Sequence, residues 1–167
     1  MKKNTRFLCE AAIIAAVYAA LNLLLRPISF GVTQFRAAEA LTLLPVLTPA
    51  AVPGLAVGCI LSNISSPYGL ADIIFGSAAT LLSALCSRKT RNIRIKKLPV
   101  LSAVFPTVFN AVFVGAEITF LSTEGFMLKT FFLTAASVFL SEAVICFLLG
   151  VPLCRAVERT DIFNERL

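Results

Sequence analysis

The sequence predicts an all-α membrane protein, a compact bundle of six transmembrane helices in one integral domain spanning residues 1–167. Three observations predict it. Hydrophobic residues make up 58% of the chain, charged residues only 14%, and the mean hydropathy is +0.89, whereas a soluble domain is nearer 25% charged. The apolar residues fall into stretches approaching the roughly 20 residues that a bilayer-crossing helix needs. The basic residues sit in short runs between those stretches, so the net charge of +6 reads as a topology signal and not as an affinity for nucleic acid.

Met1 to Arg6 is a short basic head, and Phe7 to Leu25 is an apolar run closed by Arg26-Pro27. A secretory signal has an apolar region of about 7 to 15 residues and a small-residue cleavage site; this run is longer, and it reads as a retained first span. Within it Ala11, Ala15 and Ala19 form one row at four-residue spacing, and Ala12, Ala16 and Ala20 form a second. Such smooth rows let a helix approach a neighbour closely in lipid, either inside the protein or on a partner.

Arg26 to Thr33, with Pro27 and Gly31, reads as a loop. A second, shorter span carries Gln34-Phe35-Arg36-Ala37-Ala38-Glu39-Ala40-Leu41 through Leu44, and the prolines at 49 and 53 break the chain after it. The third span covers about Ala50 to Ile64, with Gly54 and Gly58 spaced for close packing. It ends at Asn63 and the turn Ser65 to Gly69. Asp72 opens a fourth span through Leu85, where the positive end of a helix dipole favours an acid. Ser87 to Lys97 holds six basic residues and no acid, the clearest loop in the chain. The fifth span, Pro99 to Leu121, contains Asn110 and Glu117; the sixth, Thr130 to Leu153, contains Glu142.

Six spans put both termini on one side. The head, the 87–97 loop and the tail hold twelve of the fifteen Lys and Arg residues, so the positive-inside rule predicts cytoplasmic termini. At 1.5 Å rise per residue, Asn22, Gln34, Arg36, Glu39, Asn63, Asp72 and Glu117 then come out in the outer half of the membrane. Asn110 falls two turns below Glu117 on the same face, Glu10 near the inner end of its span, and Glu142 near mid-depth. A charged residue at mid-bilayer costs about 2.5 to 3.5 kcal/mol on insertion scales. These acids therefore predict pairing, ligand contact or both. Arg36 and Glu39, three residues apart, are expected to be neighbours on one helix face.

The chain has no His, which removes the commonest proton shuttle and metal ligand. Its five cysteines show no CxxC spacing, so neither a metal site nor a disulfide is expected. No GxxxxGK[ST] loop is present to bind ATP, and no Ser or Thr has an evident base beside it. The polar residues are expected to bind and not to catalyse. Carboxylates and amides in an apolar, Phe-rich setting suit a flat heterocycle with several N–H donors. One Glu can accept from adjacent N–H and NH2 groups in a bidentate pair, and Glu39 and Glu117 are the candidates. Asp72 would suit an exocyclic cation and Asn110 a carbonyl, while Phe30, Phe35 and Tyr68 stand where rings could stack on the ligand or simply anchor at the interface.

The run Gln34-Phe35-Arg36-Ala37-Ala38-Glu39-Ala40-Leu41-Thr42, then Leu44-Pro45, Thr48 to Gly54 and Asp72 to Ser77, resembles the QueT family. So do Phe109-Asn110-Ala111, Val114 to Glu117, Ser141-Glu142 and Gly150-Val151-Pro152. Ala38 departs from a Ser common at that position. The resemblance implies a substrate-binding (S) component of an energy-coupling factor transporter in a prokaryotic cell membrane, capturing a queuosine precursor, a 7-deazaguanine, at the outer face. It implies docking on a transmembrane coupling subunit and two ATPases through one of the two alanine rows of the first helix, with ATP bound by those partners and no cofactor in this chain. Inward delivery would result from toppling of the whole S component. Other readings remain: an S component for another vitamin-like heterocycle, or a stand-alone proton-coupled carrier using Glu142 and Glu117.

Overall fold

The computed structural model describes residues 3–29, 35–121, 127–160 and 162–163. Within them it is helical apart from one isolated bridge between Ile95 and Leu98. α1 spans Lys3–Leu24 and is followed by a single turn, α2, at Arg26–Ser29. A 3-10 helix comes next at Ala37–Val46, then α3 at Ala51–Asn63, α4 at Leu70–Lys89 and α5 at Val100–Leu121. α6 at Leu128–Ala143 continues through a π-helical segment, Val144–Gly150, into α7 at Val151–Arg159. The last three form one 32-residue rod, longer at both ends than the expected sixth span.

Where the sequence predicts six spans, the described residues hold four helices long and apolar enough to cross a membrane, α1, α4, α5 and the 128–159 rod, and two shorter apolar ones. Their outward faces carry large exposed apolar side chains such as Leu24, Leu70 and Leu148, the surface expected of a multi-pass membrane protein. α3 and the 3-10 helix are shorter than a bilayer. Ten residues at about 2.0 Å rise give the 3-10 helix a length of roughly 20 Å.

The expected loop at 26–33 also differs in its first residues, which continue helically: Leu25 and Ser29 donate to carbonyls four residues back.

Ten residues is long for a 3-10 helix, and the reason is tertiary. This helix runs through the middle of the bundle, touching α1, α3, α4, α5, α7 and the π-helical segment. Residues 38 to 46 are all buried. Locally, Thr42 Oγ1 donates to the Glu39 carbonyl at 2.5 Å, and Pro45 inside the helix has no N–H to donate to an i−4 carbonyl. Around this axis α1 packs on α3, α3 on α4, α4 on α5 and α5 on α6.

α1 meets α3 backbone to backbone. A Cβ placed on Gly54 would lie 2.7 Å from the Ala11 carbonyl oxygen, and one on Gly58 would lie 2.8 Å from that of Ala15. The small residues at 11, 15, 54 and 58 are thus what lets the two backbones meet, in the manner of small-xxx-small packing. Ala15 and Ala19 are buried in consequence, whereas Ala12, Ala16 and Ala20 are exposed.

At the end of the bundle that carries the basic loop, polar ties hold the elements together. Arg6 bonds Glu10 at 2.7 Å and Thr48 donates to Glu10 at 2.8 Å. Arg88 donates to the Pro45 carbonyl at 3.2 Å, and Arg94 pairs with Glu158 at 3.1 Å.

Candidate functional site

The opposite end holds the polar residues singled out by the sequence. Arg36 lies just before the 3-10 helix with φ −92° and ψ 90°. It is therefore not on a helix face with Glu39, and the expected pairing of those two gives way to another. Arg36 Nη2 bonds Asp72 Oδ1 at 2.6 Å, with 3% and 0% of the two side chains exposed. Asp72 sits in the first turn of α4, as a dipole argument requires, and is held on further sides. Ser66 Oγ donates to its Oδ2 at 2.5 Å, and Asn63 Nδ2 donates to its carbonyl at 2.8 Å. Gly76, one turn along α4, makes room for this group: a Cβ there would lie 2.8 Å from Asn63 Nδ2 and 3.2 Å from Arg36 Nη1.

Glu39 points elsewhere. Its Oε1 accepts a hydrogen bond from the Tyr18 hydroxyl of α1, and neither residue has any exposed surface. Its other oxygen, Oε2, has no hydrogen-bond partner. Asn110 of α5 lies beside Glu39 and also beside Glu142 of α6, and its Nδ2 completes a hydrogen bond with neither. Two turns further along α5, Glu117 is fully buried with neither carboxylate oxygen bonded. Asp72 and Arg36 lie near it. Asn63 Oδ1 and Asn22 Oδ1 are likewise unbonded and buried.

Buried polar atoms in folded proteins are overwhelmingly hydrogen-bonded, and leaving one unpaired costs about 1 to 3 kcal/mol. A concentration of unbonded oxygens and amides drawn from α1, α3, α5 and the 3-10 helix is therefore a feature that a ligand rich in N–H donors would satisfy. The structure brings Arg36, Asp72 and Glu117 together at one level and Glu39 with Asn110 at another. Gln34 and Phe30 lie outside the described residues; Phe35 and Tyr68 are half-buried. Glu142, which the sequence places near mid-depth without a binding role, is buried and stands with Glu39 and Asn110. The signal for it is its isolation as the one acid in a long apolar run. No cluster of three or more His, Cys, Asp or Glu suited to a metal occurs among the described residues.

A search of curated proteins gives no match, and neither does a search of solved structures. The family model described as QueT transporter matches residues 8–159, nearly the whole chain. That span includes every helix described above except the first residues of α1. The protein is therefore a membrane transporter and not an enzyme, and it belongs to the QueT family.

Proposed function

We propose that this chain is the substrate-binding component of an energy-coupling factor transporter, and that it captures a queuosine precursor, a 7-deazaguanine, from outside a prokaryotic cell. The observation that carries the binding role is the buried Glu117 carboxylate with both oxygens unbonded, beside the Arg36–Asp72 pair. The guanine-like edge of a deazaguanine offers adjacent N–H and NH2 groups that one carboxylate accepts together, and Glu117 is assigned that contact. Asn110 reads the ring carbonyl through its unbonded Nδ2. Arg36 and Asp72 fix the mouth of the site and Glu39 its floor.

The orientation is set by the basic residues: both termini and the 87–97 loop face the cytoplasm and the Arg36–Glu117 end faces outward. Energy comes from other chains, because no phosphate-binding loop is present in this sequence; ATP is bound by two ATPases that act through a transmembrane coupling subunit. Of the two alanine rows, Ala12, Ala16 and Ala20 are all exposed, whereas Ala15 and Ala19 are buried and the Ala11 and Ala15 backbones lie against α3. The coupling subunit is accordingly assigned to the 12/16/20 row. Uptake assays in vesicles test this reading: the chain with its coupling subunits imports labelled deazaguanine on addition of ATP. The chain alone binds it and, even with a proton gradient, does not import it.

A further inference from the structure

At the end of the bundle away from the polar site, residues 90–99 join α4 to α5, two helices long and apolar enough to cross a membrane. This connection therefore lies at the membrane surface, and it is held in shape. Ser87 Oγ donates to the Ser102 carbonyl at 3.1 Å, and Leu98 packs against the cluster that contains Leu43, Val46 and Cys154. Ile95 N donates to the Leu98 carbonyl at 3.0 Å and Leu98 N to the Ile95 carbonyl at 2.9 Å, so the chain reverses over Lys96 and Lys97. Both lysines have positive φ, 51° and 66°, in a turn where Asn and Gly are the usual residues. Backbone kept in so sparsely populated a region is held there by its surroundings, and such strain concentrates at functional sites.

The turn presents charge without counter-charge. Residues 87–97 hold six basic residues and no acid. Arg94 is committed to the protein: its Nη2 bonds Glu158 of α7 at 3.1 Å and its Nε donates to the Arg91 carbonyl at 3.0 Å. The acids described at this end, Glu10 and Glu158, each already have a basic partner. Lys89, Arg91, Lys96 and Lys97 join no ion pair among the described residues, and the three lysines are exposed. Ile93 and Ile95, which flank Arg94, are 51% and 54% exposed. A free phosphate would satisfy the lysines and leave these two side chains in water. A phospholipid satisfies both, because its charged headgroup and its acyl chains meet at the level where the loop lies.

We propose that residues 89–97 form a docking surface for anionic phospholipid of the cytoplasmic leaflet, in which Lys89, Lys96 and Lys97 take headgroup phosphates and Ile93 and Ile95 enter the acyl region. This uses the orientation given above and neither the ring ligand nor the coupling partners. In the test the full chain in neutral detergent is offered equal amounts of phosphatidylglycerol and phosphatidylcholine with the same acyl chains, and retained lipid is counted by native mass spectrometry. At least about tenfold more phosphatidylglycerol is expected to be retained, and an excess of glycerol phosphate, the headgroup without its tails, is expected not to displace it. Lys96→Asn with Lys97→Gly supplies residues suited to the turn. Its unfolding temperature is expected to hold or rise while the preference for phosphatidylglycerol falls about tenfold or more, the scale of two basic residues at a membrane surface. Ile93→Ser with Ile95→Ser is expected to lower the retention of both lipids.

Equal retention of the two lipids by the unaltered chain overturns the proposal whether or not the variants fold. So does displacement by glycerol phosphate, which would make the ligand a free anion, and so does a Lys96→Asn, Lys97→Gly chain that keeps the full preference. If that last chain also fails in ATP-driven uptake, the loop serves a protein partner in place of lipid.

Discussion

Arg36 and Asp72, thirty-six residues apart in sequence, meet at 2.6 Å in the interior of the bundle with almost no exposed surface on either. The pair joins the segment entering the 3-10 helix to the first turn of α4, so it fixes these two elements to one another. Removing one member of a buried pair strands the other charge and costs about 3 to 5 kcal/mol. Asp72→Asn is expected to lower the unfolding stability by about that amount. The double variant Arg36→Gln with Asp72→Asn is expected to recover part of the loss. Thermal unfolding in detergent, read as a double-mutant cycle, checks both.

Glu117 behaves in the opposite way. Its carboxylate has no hydrogen bond to lose, so Glu117→Gln is expected to leave the ligand-free unfolding temperature unchanged or raised. Its affinity for 7-deazaguanine falls by more than about tenfold, since one charge-assisted bond is worth about 1.5 to 3 kcal/mol. Unfolding and ligand titration of the same preparation separate the two effects.

The α1–α3 contact predicts a steric result. Gly58→Ala puts a methyl 2.8 Å from the Ala15 carbonyl oxygen and 2.9 Å from Tyr18 Cβ, atoms that move only with the backbone. A loss of about 1 to 3 kcal/mol is expected from such overpacking. Tyr18 also bonds Glu39, so ligand affinity is expected to fall with stability. Scanning unfolding and titration of Gly58→Ala measure both.

The two alanine rows predict a split. Ala15→Leu forces bulk into the buried α1–α3 contact and is expected to destabilise the protein. Ala16→Leu, on the exposed side, is expected to leave folding and ligand affinity intact while abolishing ATP-driven uptake in vesicles that contain the coupling subunits. Uptake that survives Ala16→Leu places the docking surface elsewhere.

These relationships differ in how far the sequence discloses them. Long apolar runs mark α1, α4 and α5 closely, because a helix in lipid must be apolar over its whole length. The polar residues inside the apolar stretches mark the interior for the same reason: Glu39, Asp72, Asn110 and Glu117 are all buried. The partner of Arg36 is not legible. Spacing suggests Glu39, but the helix begins only at Ala37, and where a non-helical residue points depends on tertiary contacts. The 3-10 winding of residues 37–46 is hidden as well, since its hydrophobicity suits any buried helix and the winding is held by neighbours from across the chain. Which alanine row is covered depends on where Gly54 and Gly58 pack, and sequence alone gives both rows equal standing. Glu142 is visible as an isolated acid, but its place beside Glu39 comes from the rod of α6 crossing the 3-10 helix at the π-helical turn.

The proposed binding role rests above all on the unbonded acids of the interior, Glu39 and Glu117, receiving a ring with several N–H donors. Calorimetric titration of the detergent-purified chain with 7-deazaguanine, guanine and unrelated vitamins measures it directly. One saturable deazaguanine site, formed without any partner chain and lost in both Glu39→Gln and Glu117→Gln, is the result predicted. No heat with any deazaguanine, or affinity unchanged in both variants, would contradict it.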